Sequence, residues 1–173
     1  MMDNKKNLSG NKLNVSRRKF MKGAAITASA FTVVPRNVLG GKGYRAPSDV
    51  LNIVGVGVGG MGRSNLRNMV KAGKAKVVGL CDVDWKYSEK AFNDYPDAKK
   101  SYDFRKMYEE LNNDFDAVMV ATPDHTHAVA GALAMKMGKH AYVQKPLTRT
   151  VWESRRLTEI ANETGVVTQM GNQ

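Results

Sequence analysis

The sequence predicts an α/β fold built as a doubly wound parallel sheet, and three observations carry that prediction. From residue 51 onward, short apolar runs alternate with amphipathic helical stretches, the pattern of parallel βαβ units. A glycine-rich turn over residues 57–62 joins the first run to the first helix. An aspartate, Asp82, closes the second run.

The elements follow in order. Leu51 to Val56 reads as a strand buried on both faces. Ser64 to Ala72 carries Leu66, Met69 and Val70 at helical spacing, opening directly after Gly62 and stopping at Gly73. Lys76 to Cys81 is a second strand, a polar helix spans Tyr87–Tyr95, and a short strand lies around Lys99–Tyr102. Asp103 caps a helix bearing Phe104, Met107, Tyr108 and Leu111 on one face. Asp116 to Ala121 is a strong strand, and Asp124 is expected to cap the next helix, with Ala130, Leu133, Ala134 and Met137 as its stripe. His140 to Val143 is a strand, Thr150 and Glu153 have capping-box spacing for a helix ending near Gly165, and Val166 to Met170 is the last strand.

The net charge of +11 suggests nucleic acid until it is placed along the chain. Ten of the 27 Lys and Arg lie before Asp49, leaving 17 bases against 15 acids from there on. The excess belongs to the N-terminal leader and linker, which argues against a nucleic-acid face. Cys81 is the only cysteine, so an internal disulfide is excluded.

Residues 1–35 read as a twin-arginine export signal, residues 36–48 as a linker, and residues 49–173 as the nucleotide-binding domain. Ser16-Arg17-Arg18-Lys19-Phe20-Met21-Lys22 resembles the twin-arginine motif, and Ala28-Ser29-Ala30 offers a cleavage site. The run from Gly23 to Pro35 falls short of the roughly 20 apolar residues that span a bilayer, so stable membrane insertion is not expected. The implied partner is the twin-arginine export machinery and the implied location is periplasmic or otherwise exported. In the linker, Gly40-Gly41-Lys42-Gly43 lacks the spacing and the Ser/Thr of a P-loop.

Gly57, Gly59 and Gly62 match G-x-G-x-x-G between a strand and a helix, with Gly60 and Met61 inside the motif. One glycine permits the tight turn, the next lets backbone N–H groups approach a pyrophosphate, and the third lets helix and strand pack closely. The helix N-terminus adds partial positive charge for the anion. Arg63, in the first helical turn, either meets a phosphate or stays solvated. Asp82 follows Gly62 by 20 residues, where a carboxylate can accept both ribose hydroxyls and repel a 2′-phosphate. That favours NAD; Lys86 keeps NADP open.

Three further segments make the pattern specific: Ala121-Thr122-Pro123-Asp124-His125-Thr126-His127, Tyr142-Val143-Gln144-Lys145-Pro146-Leu147, and Asn172 after the last strand. With Gly57-Val58-Gly59-Gly60-Met61-Gly62 and Cys81-Asp82-Val83-Asp84, they resemble the N-terminal Rossmann domain of the Gfo/Idh/MocA family of sugar oxidoreductases. The resemblance implies that Thr122 and Pro123 lie beside the nicotinamide ribose, that His127 and Gln144 are near the cofactor, and that Lys145 is catalytic. A positive nicotinamide ring beside an amine disfavours its ammonium form, which leaves it able to take a hydroxyl proton. Gln144 stands where the family commonly has glutamate, which leaves the tuning of Lys145 open. His125 and His127 point to different helical faces and have no third ligand nearby in sequence, so no metal site is expected.

The expected activity is NAD-dependent oxidation of a sugar or polyol, with an NAD-dependent glycosidase working by transient oxidation as one alternative and a non-catalytic nucleotide-binding fragment as another. The resemblance also implies a further substrate domain beyond Gln173, without which the chain is expected to be inactive, and a homo-oligomer at full length. Export requires the cofactor to be loaded before transport, which favours redox-neutral net chemistry.

Overall fold

The structure, a computed structural model, describes residues 46–172. The twin-arginine segment and most of the expected linker lie outside the described residues. The linker's last residues are within them: Ala46 is buried, and Pro47–Asp49 form one 3-10 turn before the sheet.

Six strands form one parallel sheet: β1 (Leu51–Val56), β2 (Ala75–Cys81), β3 (Lys99–Ser101), β4 (Ala117–Val120), β5 (His140–Val143) and β6 (Thr168–Met170). Five helices connect them: α1 (Gly60–Lys71), α2 (Trp85–Asp94), α3 (Phe104–Glu110), α4 (Asp124–Lys136) and α5 (Val151–Thr164). The spatial order is β3-β2-β1-β4-β5-β6, so the sheet grows one way from β1 and then reverses to β4. Every pairing is parallel, which places all strand C-termini on one edge. The reversal between β1 and β4 opens a crevice at that edge, the usual ligand position in such sheets.

Side-chain alternation along the strands divides the core in two. Ile53, Leu80, Ala117 and Met119 pack with Leu66 of α1 and Ala91 and Phe92 of α2. Val54, Cys81, Val118 and Val120 pack on the other face with Met107 and Tyr108 of α3, Ala130 and Ala134 of α4, and Leu157 and Ile160 of α5. Helix α4 is buried on several sides, through His127, Ala128, Ala130, Gly131, Ala134 and Met135. Its small residues allow that close approach; a Cβ on Gly131 would meet Val143 Cγ2 at 3.2 Å.

The caps explain most boundaries. Asp84 accepts from Tyr87 N–H to start α2, and Asp103 accepts from Arg105 N–H to start α3. Thr150 and Glu153 make the full capping box of α5, which ends at Gly165 with φ +69°. Two expectations are corrected. Helix α1 begins at Gly60, inside the glycine motif, because Gly62 N–H already donates to Gly59 O at 2.9 Å. Asp124 is the first residue of α4 rather than its cap; Pro123 holds the cap position with no side-chain bond.

Candidate functional site

The glycine loop leaves β1 at Gly57, whose φ of +76° suits glycine. A Cβ there would meet Thr122 N at 2.6 Å, so the loop runs against the β4 turn. At Gly62 a Cβ would overlap Gly57 O and meet Ala121 Cβ at 3.3 Å. The first and third glycines thus let the loop, helix and neighbouring turn share one crowded corner. Gly59 and Gly60 face Tyr87, whose ring lies where a Cβ on Gly59 would be and whose hydroxyl would meet a Cβ on Gly60 at 2.5 Å. Met61, on the first turn of α1, is half exposed.

Asp82 follows β2 directly and reaches back to this loop. Its Oδ2 accepts from Val58 N–H at 2.8 Å and Gly59 N–H at 3.2 Å, and its Oδ1 accepts from Asp84 N–H at 3.0 Å. A carboxylate offers about four lone-pair positions, so these three bonds leave one acceptor position, on Oδ1. Arg63, half-buried, is paired within the protein. Its Nε and Nη2 donate to Asp94 at 2.7 and 2.9 Å, tying α1 to α2. The guanidinium holds the Asp94 carboxyl below its usual range, chiefly through that hydrogen bond.

Asp82, Gly57, Gly59, Thr122 and Pro123 line one cleft of about 480 Å³, with Cys81 at its floor. Burial pushes the Cys81 thiol up to about 12, assisted by the negative charges of Asp82 and Asp103, so it is an inert wall. Val83, Tyr87, Tyr102, Phe104, His125 and Thr126 are also in the lining. Sequence reasoning assigned none of these residues to the cofactor and weighed His125 only as a metal ligand. Their shared signal is position: each lies just beyond a strand's C-terminal end. Tyr102 stacks on Trp85 at 4.2 Å between centroids, which stiffens that wall. A larger depression of about 640 Å³ runs along α1 past Arg63, Arg67 and Tyr95. It shares only Gly60 with the glycine motif and contains the Arg63–Asp94 pair, so the cleft at the strand ends is the better site.

His127 and Gln144 lie beneath this surface. His127 is 1% exposed, with Nδ1 2.7 Å from Pro146 O and Nε2 2.7 Å from Thr122 O. Both partners only accept, and a ring N–H on either nitrogen donates to the carbonyl that nitrogen faces, so the tautomer sets which one is bonded. Gln144 is buried, and its Oε1 accepts from Asn65 Nδ2 at 3.0 Å. Lys145 is exposed between Gln144 and Pro146, and the Lys145–Pro146 peptide is cis. Among the described residues, no group of three or more His, Cys, Asp or Glu gathers as metal ligands, and no helix is long and apolar enough to cross a membrane.

The residues present fit a dinucleotide. Gly57 and Gly62 let the loop pack tightly against the Ala121-Thr122 turn beside the cleft, and the Thr122 hydroxyl is buried at the cleft without a partner. Comparison with known proteins agrees. The oxidoreductase family described as Gfo/Idh/MocA, NAD-binding Rossmann fold, matches residues 51–172. Glycosyl hydrolase family 109 protein 2 of Shewanella sp. (strain ANA-3) is 30% identical over 170 residues, covering 86% of this chain and 37% of that protein. An alpha-N-acetylgalactosaminidase of Shewanella oneidensis is 29% identical over 173 residues, covering 87% of this chain and 38% of that protein. The crystal structure of GenD2 from gentamicin A biosynthesis, in complex with NAD, superposes with a TM-score of 0.66 at 24% identity, covering 81% of this chain and 37% of that one. The chain therefore spans less than two fifths of the length of these relatives. It belongs to the Gfo/Idh/MocA oxidoreductase family, and residues 51–172 are that family's NAD-binding Rossmann domain.

Proposed function

We propose that the whole protein is an NAD-dependent enzyme that oxidises a carbon of a sugar or polyol. The observation that carries this reading is the single strand-end edge, which presents the glycine loop and Asp82 at one end and Lys145 at the other. Gly57, Gly59, Gly60, Met61 and Gly62 would face the pyrophosphate, Asp82 the adenosine ribose, and Thr122 and Pro123 the nicotinamide ribose. Bound NAD would supply a hydride acceptor. Lys145 Nζ then takes the proton of the substrate hydroxyl as its carbon is oxidised. Asp82 disfavours a 2′-phosphate at the ribose, which supports NAD over NADP.

Export through Arg17 and Arg18 to the periplasm, a homo-oligomeric state and a substrate-holding region outside the described residues belong to the same reading. A second reading has a specific observation in its favour. The glycosidase relatives, including the alpha-N-acetylgalactosaminidase, support a sugar that is oxidised transiently and reduced again after its aglycone is eliminated. That chemistry is redox-neutral, which suits a cofactor carried out of the cytoplasm.

The test pairs calorimetric titration of NAD and NADP with two assays on the full chain: nicotinamide reduction by a panel of sugars, and aglycone release from chromogenic glycosides. NAD binding with sugar-dependent reduction supports the first reading. Aglycone release without net reduction selects the second. Binding with neither activity across both panels counts against both.

A further inference from the structure

We propose that Asn65 and His127 are positioning residues for Lys145, anchoring the turn that carries it from two sides. The proposal rests on the reading of Lys145 as the proton acceptor. Lys145 and Pro146 are exposed, but Gln144 before them is buried and the Pro146 carbonyl meets the buried His127 ring. Gln144, 6% exposed, receives Asn65 Nδ2 at 3.0 Å, and Asn65 is itself 3% exposed on α1, three residues after Gly62. The bond spans 79 positions and couples the glycine-loop helix to the lysine turn. On the other side, Pro146 O faces His127 Nδ1 at 2.7 Å, and the same ring reaches Thr122 O. One buried imidazole therefore sets the spacing between the Thr122-Pro123 turn and the Lys145 turn.

Apolar side chains could fill the same space, but their contacts are not directional. The Asn65–Gln144 bond and a ring N–H aimed at a backbone carbonyl are directional, and breaking either disturbs polar groups in the interior. With its backbone held on both sides, Lys145 has only side-chain torsions to order when a substrate arrives. Such placement governs rate more than affinity.

The experiment compares the NAD-loaded full chain with Asn65→Leu and His127→Leu. It measures hydrogen exchange across 144–150, NAD affinity by calorimetry, and turnover. Exchange in the turn is expected to rise about ten-fold in both variants, while NAD affinity stays within about two-fold in Asn65→Leu. Turnover is expected to fall on the order of a hundred-fold. His127→Gln, which keeps one polar contact, should recover part of each loss. Unchanged exchange at 144–150 overturns the proposal, as does a rise spread evenly over the whole sheet. Should His127→Leu fail to fold, His127→Gln and Asn65→Leu carry the same test. Lys145→Ala run alongside separates the two ideas: undiminished turnover there removes Lys145 as proton acceptor, while the exchange result still decides the anchoring.

Discussion

The carboxylate of Asp82 holds the backbone of Val58, whose N–H donates to Asp82 Oδ2 at 2.8 Å across 24 positions of sequence. The residue expected to read the ribose is thus also a support of the loop expected to read the pyrophosphate.

Asp82→Ala should therefore lower two quantities together. Loss of hydrogen bonds to a charged acceptor costs roughly 1.5–3 kcal/mol each, so NAD affinity should fall by about ten-fold or more. The melting temperature without ligand should fall as well, because Val58 and Gly59 lose their acceptor. Calorimetry and a thermal melt on the same preparation measure both. A weakened NAD affinity with an unchanged melt would mean that the loop stands without Asp82.

Gly62→Ala should be worse than its single methyl suggests. The new Cβ would overlap Gly57 O, and that atom is backbone that cannot swing aside. Overpacking of this kind costs about 1–3 kcal/mol, and the displaced loop should no longer bind NAD. Gly138→Ala is the comparison: its φ of +75° is strained for alanine, but a Cβ there meets nothing within 4 Å. It should cost stability and leave NAD affinity intact.

Cys81 should resist alkylation in the folded protein. With its thiol pushed up to about 12 by burial, iodoacetamide at pH 8 should label it only after denaturation. The linked stability runs the same way. The unfolded thiol ionises near 8.5, so the unfolded chain binds fewer protons between there and about 12. Stability from this group is complete below that window and is lost as pH rises through it. Denaturant titrations of wild type and Cys81→Ala should diverge over that range.

Export is expected to depend on Arg17 and Arg18. Replacing both with lysine keeps the charge but removes the paired guanidinium groups, and precursor should accumulate in the cytoplasm. Fractionation followed by immunoblotting measures it; undiminished periplasmic protein would count against the signal.

The parts of the fold that were legible in the sequence are those set by local chemistry. Strands β1 and β5 keep their expected limits because apolar runs bounded by turns leave little choice. The α5 capping box was readable because both partners lie three residues apart. The start of α1 was not, because its backbone closes a turn within glycines that carry no side-chain signal. The roles of Arg63, Asn65 and His127 depend on partners 31, 79 and 19 positions away. Periodicity marks such residues as facing inward or outward, but it does not say which distant atom they meet. For His125 the strand-end rule was available, and helical spacing alone concealed it.

The strand order has a thermodynamic consequence. The cleft draws on residues 56–59, 81–87, 102–104 and 121–130, which come together only when β1, β2, β3 and β4 are paired. A ligand in it is linked to cooperative unfolding of the sheet rather than to the ordering of one loop. At a hundred times its dissociation constant, such a ligand adds about 2.7 kcal/mol to the folded state. A protein that crosses a membrane already folded would therefore travel with its most stable form selected by the nucleotide it carries.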